Sequence, residues 1–370
     1  MDAVVLVDGR NFVFRHHYPN NGLATQDGKP TSVLHGCLSG LLSLSNKLPD
    51  IPIVFVWDGG GQTWRHKLLS PPINTIGTQL KVKAAAVGQG VFLPSLGTVQ
   101  LPQAPTKVEG YKATRDLNAT AQAIDSKRAA IIQIPELLTM LDIIGIRNFK
   151  IKKLEGDDLI GILATAILQR KIFEKVIIHS TDKDFYQLIS KEISVLKGVE
   201  KGSGRLLWAR REEIPLEYGV QVEEWVNYRA IVGDKSDNIP NFLPGVGPVT
   251  AVKWMRLGLD PSLKSYQDLP YLAKMNLKNA KVKGKLVDWQ LNWEKLHKNY
   301  ICSQILVDGK FNVLEEEVRA SVESTIGRVS RKAFTRRPFT EEGYRQLSEK
   351  LAYWELAELL GKRDNFKSLR

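Results

Sequence analysis

The chain has 370 residues, 43% of them hydrophobic, which allows a large buried core and a length prior of about two domains. Lysine and arginine outnumber aspartate and glutamate by 52 to 40, and the resulting +12 charge and pI near 9.5 favour a phosphate-backbone partner. Apolar runs fall short of the roughly 18 residues a membrane span needs, MDAVVLVDGRN carries no export signal, and Cys37 and Cys302 are too few for a disulfide framework or a thiolate zinc site; a cytoplasmic setting is expected.

In chain order, AVVLVD reads as a strand ending at Asp8, Thr31 to Lys47 as a helix, and IPIVFVWD as a strand ending at Asp58. Leu68 to Val108 then changes character, rich in Gly, Pro and Val and without any acid, and reads as an insertion. A helix over Ile131 to Ile144 leads to FKIKKLEGDD, a helix over Leu159 to Lys171 follows, and KVIIHSTDKD reads as a strand ending at Asp182 and Asp184. Strands alternating with helices predict an α/β fold with a mostly parallel sheet. After Tyr218 the texture turns helical and basic, with helices expected over 223–232, 249–257, 268–279 and 288–304. Lys274, Lys278, Lys281, Lys283 and Lys285 form an acid-free run that is either a solvated face or a backbone contact. Residues 316–370 read as a basic extension with a last helix over Glu341 to Leu360.

The repeated acids carry the chemistry. In parallel sheets ligands bind beyond the carboxyl ends of the strands, so Asp8, Asp58, Glu155, Asp157, Asp158, Asp182 and Asp184 are expected to converge there, joined by Asp234 and Asp237 of GDKSDNIP. Asp182 and Asp184 would point to one side of an extended chain, and Asp234 and Asp237 would share a helical face. Helix capping by LEGDD, buried salt bridges and solvent-facing loops are the competing readings. Clustered carboxylates repel unless protonated or neutralised, and no local Arg or Lys supply in the sequence matches this number. Without cysteine or evident histidine ligands the donor set is all oxygen, which suits Mg²⁺ or Mn²⁺; His16 and His17 read as surface or packing residues. With the nine acids set aside, 52 basic residues face 31 acidic ones, so the sequence describes a negative pit in a positive surface. Two divalent ions about 3.5 to 4 Å apart in such a pit can activate water and stabilise the leaving oxygen of a phosphodiester.

VVLVDGRN, VFVWD, TWRHK, GYKATR, KLEGDDLIG, STDKDFYQL, GDKSDNIP and LPGVGPVTA, in that order, resemble the structure-specific 5′ nuclease superfamily. Its members are flap endonucleases, the 5′ nuclease domain of bacterial DNA polymerase I and free-standing phage 5′–3′ exonucleases. The resemblance covers about Asp2 to Asp308 apart from the insertion. It implies a PIN-like 5′ nuclease fold over 1–217, with an arch region about 109–130, and a helix-hairpin-helix duplex-binding subdomain over 218–315. The family's metal-binding acids fall on the nine residues above, which would hold two or more Mg²⁺ or Mn²⁺ ions. Lys112 and Arg115 fall at the base of the arch as catalytic cations. Arg15, Arg65, Tyr111, Gly245, Gly247 and Thr250 fall at DNA contacts, with K⁺ at the helix-hairpin-helix. The implied activity is metal-dependent 5′–3′ exonuclease and flap endonuclease cleavage of DNA, and of RNA primers in hybrids, by a monomer. The alternatives are a PIN-type ribonuclease acting on RNA, which the helix-hairpin-helix argues against, and a noncatalytic junction-binding protein, which the full acid set argues against. Two departures stand out: about forty residues separate TWRHK from YK where the family has a few, and no room for a polymerase follows Asp308, so the free-standing phage type is the better match.

Overall fold

The computed structural model describes residues 2–69, 120–200, 202–279 and 286–362. Six strands, β1 (Ala3–Asp8), β2 (Ile53–Trp57), β3 (Arg147–Lys150), β4 (Lys175–His179), β5 (Ile193–Val199) and β6 (Leu206–Ala209), form one sheet in the order β3-β2-β1-β4-β5-β6. The first five are parallel and β6 runs antiparallel to β5. The mostly parallel α/β fold expected from the sequence is therefore present. The central strands β1, β2 and β4 are buried on both faces, which is why they read as continuous apolar runs, whereas the edge strand β3 alternates half-buried and exposed residues. Val4, Leu6, Val54 and Val56 point into one core, and Val5, Val7, Ile53 and Phe55 into the other.

Helices Gly9–His17, Ser32–Lys47, Ile134–Ile143 and Glu341–Tyr353 close the second core. Helix Gly156–Gln169 and the helices after Tyr218 close the first, with Tyr186, Val220 and Trp225 packed in one cluster across residue 218. The tail is not a detached extension: Val318, Val322, Ile326 and Phe334 complete the first core, and Leu347, Leu351, Leu356 and Leu359 the second. Among the described residues no helix is long and apolar enough to cross a membrane.

Three local expectations change. The third strand ends at Lys150, so Glu155, Asp157 and Asp158 sit at the N-terminus of helix Gly156–Gln169, where their charge meets the positive end of the dipole. Asp182 has extended backbone, but Asp184 lies inside the 3-10 turn Lys183–Leu188, which Asp182 caps by accepting the Asp184 amide at 2.9 Å. Asp234 and Asp237 lie in a loop closed by an Asp234–Ile239 bridge rather than on a helix, and Asn238 there takes a φ of 59°. Residues 70–119, which hold most of the predicted insertion and the start of the arch, lie outside the described residues.

Candidate active site

β1 has β2 on one side and β4 on the other, so strand order reverses at β1, and a crevice is expected beyond its carboxyl end. A cavity of about 400 Å³ opens there, lined by Asp8, Arg10, Asn11, Phe14, Arg15, Tyr18, Asp58, Asp157, Thr181 and Asp182. Asp8 caps helix Gly9–His17 by accepting the Asn11 amide at 3.0 Å and accepts from Ser180 Oγ at 2.9 Å on the β4 side. Asn11 is tied across the same gap, its Nδ2 donating to Thr181 Oγ1 at 2.9 Å and its Oδ1 accepting the Thr181 amide at 3.1 Å. Asp58 is brought in by the glycines that follow it. A Cβ on Gly59 would lie 1.6 Å from the Ile151 carbonyl oxygen, so only glycine lets this backbone run against 151–154, with Gly59 N donating to Leu154 O at 2.8 Å. Asp58 Oδ1 then accepts the Gly156 amide at 2.7 Å, next to Asp157.

These carboxylates feel one another. Burial pushes Asp8 up to about 7, helped by Asp182 and Asp58 and resisted by the bonds from Asn11 and Ser180. Burial likewise raises Asp184 to about 7 against the Arg229 guanidinium, with Asp182, Asp234 and Asp237 adding to the rise. Asp182 is raised by burial and by Asp237 and Asp234. It thus joins two groups: the cavity acids Asp8, Asp58 and Asp157, and the set Asp184, Asp234 and Asp237. Asp234 falls below the ordinary carboxylate value, because Arg229 and the Ser236 bonds outweigh its burial. Such a cluster needs protons or cations to stay together.

Part of that cation supply is local, and, as the sequence led one to expect, it is smaller than the number of acids. Arg10 Nη1 bonds Asp58 Oδ2 at 3.0 Å, and Arg229 bonds Asp184 Oδ1 through Nε at 2.9 Å and Asp234 Oδ2 through Nη2. Neither arginine was singled out from the sequence; Arg10 could have been, two residues after Asp8, whereas nothing in the sequence links Arg229 to Asp184. Arg65 is the third. It is 2% exposed and cannot be the DNA contact expected of it. Its Nε donates to Cys302 O at 2.9 Å, its Nη1 to Glu155 Oε2 and Asp158 Oδ2 at 2.8 Å, and its Nη2 to Asp158 Oδ1 at 2.8 Å and Gln304 O at 2.6 Å. Asp158 is 0% exposed and also accepts from Trp64 Nε1 at 2.8 Å and Leu306 N at 3.0 Å, so it faces the core and not the cavity, a correction to its place among the metal acids. Among the described residues no three His, Cys, Asp or Glu side chains close on one point at ligand distance.

The remaining predicted residues divide. Arg15 lines the cavity, its Nη1 donating to Lys197 O and its Nη2 to His179 Nε2 at 3.1 Å. His17 is buried between Ser32 and Ser126, a packing residue as expected. Gly245 has a φ of 78° with open space where a Cβ would be, and Gly247 precedes helix Pro248–Arg256, which carries Thr250 in its first turn. Lys112, Arg115 and Tyr111 lie outside the described residues.

Comparisons with known proteins bear on the family and the fold. The family model for the 5′–3′ exonuclease N-terminal resolvase-like domain matches residues 3–71 and 105–219, skipping a stretch inside the predicted insertion. The 5′–3′ exonuclease of Buchnera aphidicola subsp. Schizaphis graminum (strain Sg) is 26% identical over 85% of this chain and 90% of its own. That of Aquifex aeolicus (strain VF5) is 27% identical over 69% and 70%. DNA polymerase I of Pseudomonas aeruginosa is 27% identical over 84% of this chain, but only 28% of the polymerase is covered. The fold is that of the bacteriophage T5 flap endonuclease, solved as a pseudo-enzyme-product complex with DNA and metal ions, with a TM-score of 0.57, 17% identity and coverage of 88% of this chain and 97% of that one. An α/β sheet with acids gathered at its switch point, matched in sequence and in fold, places this chain in the 5′–3′ exonuclease family of nucleases.

Proposed function

We propose that this chain is a divalent-metal-dependent phosphodiesterase that removes 5′ flaps and degrades DNA from 5′ ends, including RNA primers in hybrids. The observation that carries the reading is a cavity at the sheet's switch point lined by Asp8, Asp58, Asp157 and Asp182 in a chain of net charge +12. These four, with Asp184, Asp234 and Asp237 reached through Asp182, are the oxygen donors for Mg²⁺ or Mn²⁺; Glu155 has one oxygen held by Arg65. When bound, such ions activate water and stabilise the departing oxygen of a phosphodiester. The protein supplies position and charge. The Asn11–Thr181 bonds hold the ends of β1 and β4 together, so Asp8 and Asp182 keep their places. Arg10 and Arg15 in the cavity wall orient a phosphate. The Gly245 to Gly247 turn and the start of helix Pro248–Arg256 offer backbone amides to a duplex phosphate, with K⁺ as counter-ion, and such contacts position DNA without reading its bases.

A 5′-labelled flap, a nicked duplex and a single-stranded RNA, each with Mg²⁺ and with EDTA, test the assignment. Mg²⁺-dependent release of short 5′ products from the two DNAs is expected. Cleavage of the RNA alone would point to a PIN-type ribonuclease, and binding without any cleavage to a junction-binding protein.

Lys112→Ala is expected to lower the single-turnover rate by about 10²-fold or more, the scale of losing one preorganised charge at a transferring phosphoryl group. A change confined to the dissociation constant would make Lys112 a docking residue.

Metal binding should also depend on pH in a defined direction. Asp8 and Asp184 sit near 7 in the folded chain against an ordinary 3.8, so the folded state holds more protons than the unfolded one between about pH 4 and 7. Without metal, their contribution to stability is therefore present at low pH and is lost as pH rises through that window. Mg²⁺ binds the ionised forms, so the rise in Tm it produces is expected to be larger at about pH 8 than at about pH 5.5. Equal rises at both would remove these carboxylates from the ion site.

A further inference from the structure

Arg229 stands where a cation is needed and nothing in the proposed chemistry uses it. It projects from helix Trp225–Val232 and is 19% exposed at its side chain. Its Nε donates to Asp184 Oδ1 at 2.9 Å and its Nη2 to Asp234 Oδ2, so one guanidinium joins an acid that follows β4 to an acid in the loop closed by Ile239. Asp234 keeps its other oxygen on the Ser236 amide at 2.8 Å and the Ser236 hydroxyl at 2.6 Å. The arginine thus holds the second oxygen of Asp234 and one of the two oxygens of Asp184.

We infer that Arg229 is the resident counter-cation of the Asp184–Asp234 half of the pit and competes with a divalent ion for the same carboxylate oxygens. The argument is one of charge and geometry. Asp184 and Asp234 repel each other without a cation between them, and the arginine supplies one unit of charge through directed hydrogen bonds. A divalent ion taking those oxygens must displace it, because two cations sharing two carboxylates at contact distance repel. The freed guanidinium is then available to an anion at the pit, and under the proposed function that anion is a DNA phosphate. Reciprocity follows: whatever DNA gains by meeting the released arginine, the ion gains in affinity when DNA is bound. Arg229 is on this account a positioning residue that couples ion loading to DNA binding. The inference rests on the proposed metal site and goes beyond it by assigning Arg229.

The test is calorimetric titration with Ca²⁺, which gives a binding readout independent of turnover, for the wild type, Arg229→Gln and Arg229→Lys, with and without a 5′-flap DNA. Without DNA, Arg229→Gln is expected to bind Ca²⁺ at least roughly fivefold more tightly than wild type, because the competing charge is gone. Arg229→Lys, which keeps the charge but not the two-pronged contact, is expected to fall between. Flap DNA should tighten Ca²⁺ binding by wild type more than by Arg229→Gln. Unchanged or weaker Ca²⁺ binding by folded Arg229→Gln without DNA, or equal tightening by DNA in both proteins, would overturn the inference. If Arg229→Gln does not fold, Arg229→Lys decides alone, and Ca²⁺ affinity equal to wild type overturns it. Wild type that binds no Ca²⁺ under any condition would bring down the metal site itself, whereas binding that is lost in Asp8→Asn but unaffected by Arg229 would overturn this inference alone.

Discussion

Asp182→Asn is expected to lower flap cleavage at millimolar Mg²⁺ by about 10²-fold or more, the scale of removing one preorganised electrostatic group, while binding to the same DNA stays close to wild type. Asp182 is the acid that belongs to both groups: it lines the cavity with Asp8, Asp58 and Asp157, and it feels Asp234 and Asp237 on the far side. Removing its charge therefore weakens both halves of the pit at once. The fold should survive, because asparagine caps a turn as well as aspartate does and keeps an oxygen for the Asp184 amide, now 2.9 Å away. DNA affinity comes from the basic surface and is largely untouched. Metal-free Asp182→Asn should be at least as stable as wild type, since the charge removed was raised above its ordinary pKa by burial and neighbouring carboxylates. Near-normal turnover would take Asp182 out of the metal site, and a large loss of stability would show it to be a structural acid.

The sheet and the position of the pit were legible because fully buried parallel strands leave an unbroken apolar run, and an acid that closes such a run sits at the carboxyl end of the sheet. AVVLVD carries both signals in six residues. Loop geometry was not legible. The extended reading holds at Asp182 and fails at Asp184 because a capped 3-10 turn satisfies the Asp184 amide locally, and the helical reading of Asp234 and Asp237 fails because Gly233 and Asn238 both take positive φ. The pairings of two arginines were not legible: Arg229 lies five residues from Asp234 but 45 from Asp184, and Arg65, read as a DNA contact, lies 93 from Asp158. The tail escaped because an amphipathic pattern says that a face is buried and not in which core; Val318 and Val322 chose one, Leu347 and Leu351 the other.

Asp158→Asn is expected to destabilise the metal-free protein by about 3 to 5 kcal/mol, the cost of breaking a buried ion pair from one side. The reason is written in LEGDD. Successive helical residues point about 100° apart, so Asp157 and Asp158 cannot both face the cavity; Asp157 lines it, and Asp158 turns onto the stripe of Gly161 and Ile162. That stripe is packed: a Cβ on Gly161 would lie 2.4 Å from both Ile305 Cγ2 and Leu306 O. There Asp158 takes both Nη groups of Arg65, the Trp64 indole and the Leu306 amide, while Arg65 reaches on to the Cys302 and Gln304 carbonyls. Asparagine has one acceptor oxygen and an NH₂ that points a donor at donors, so Arg65 would keep Glu155 as its buried carboxylate partner and lose the other. The joint between helix Gly156–Gln169 and the 302–306 segment would loosen, and with it the setting of Asp157 in the cavity. Urea unfolding in EDTA separates this role from ligation. A metal ligand removed from metal-free protein relieves repulsion and leaves stability unchanged or higher, so undiminished stability together with lost Ca²⁺ binding in Asp158→Asn would return this residue to the metal site.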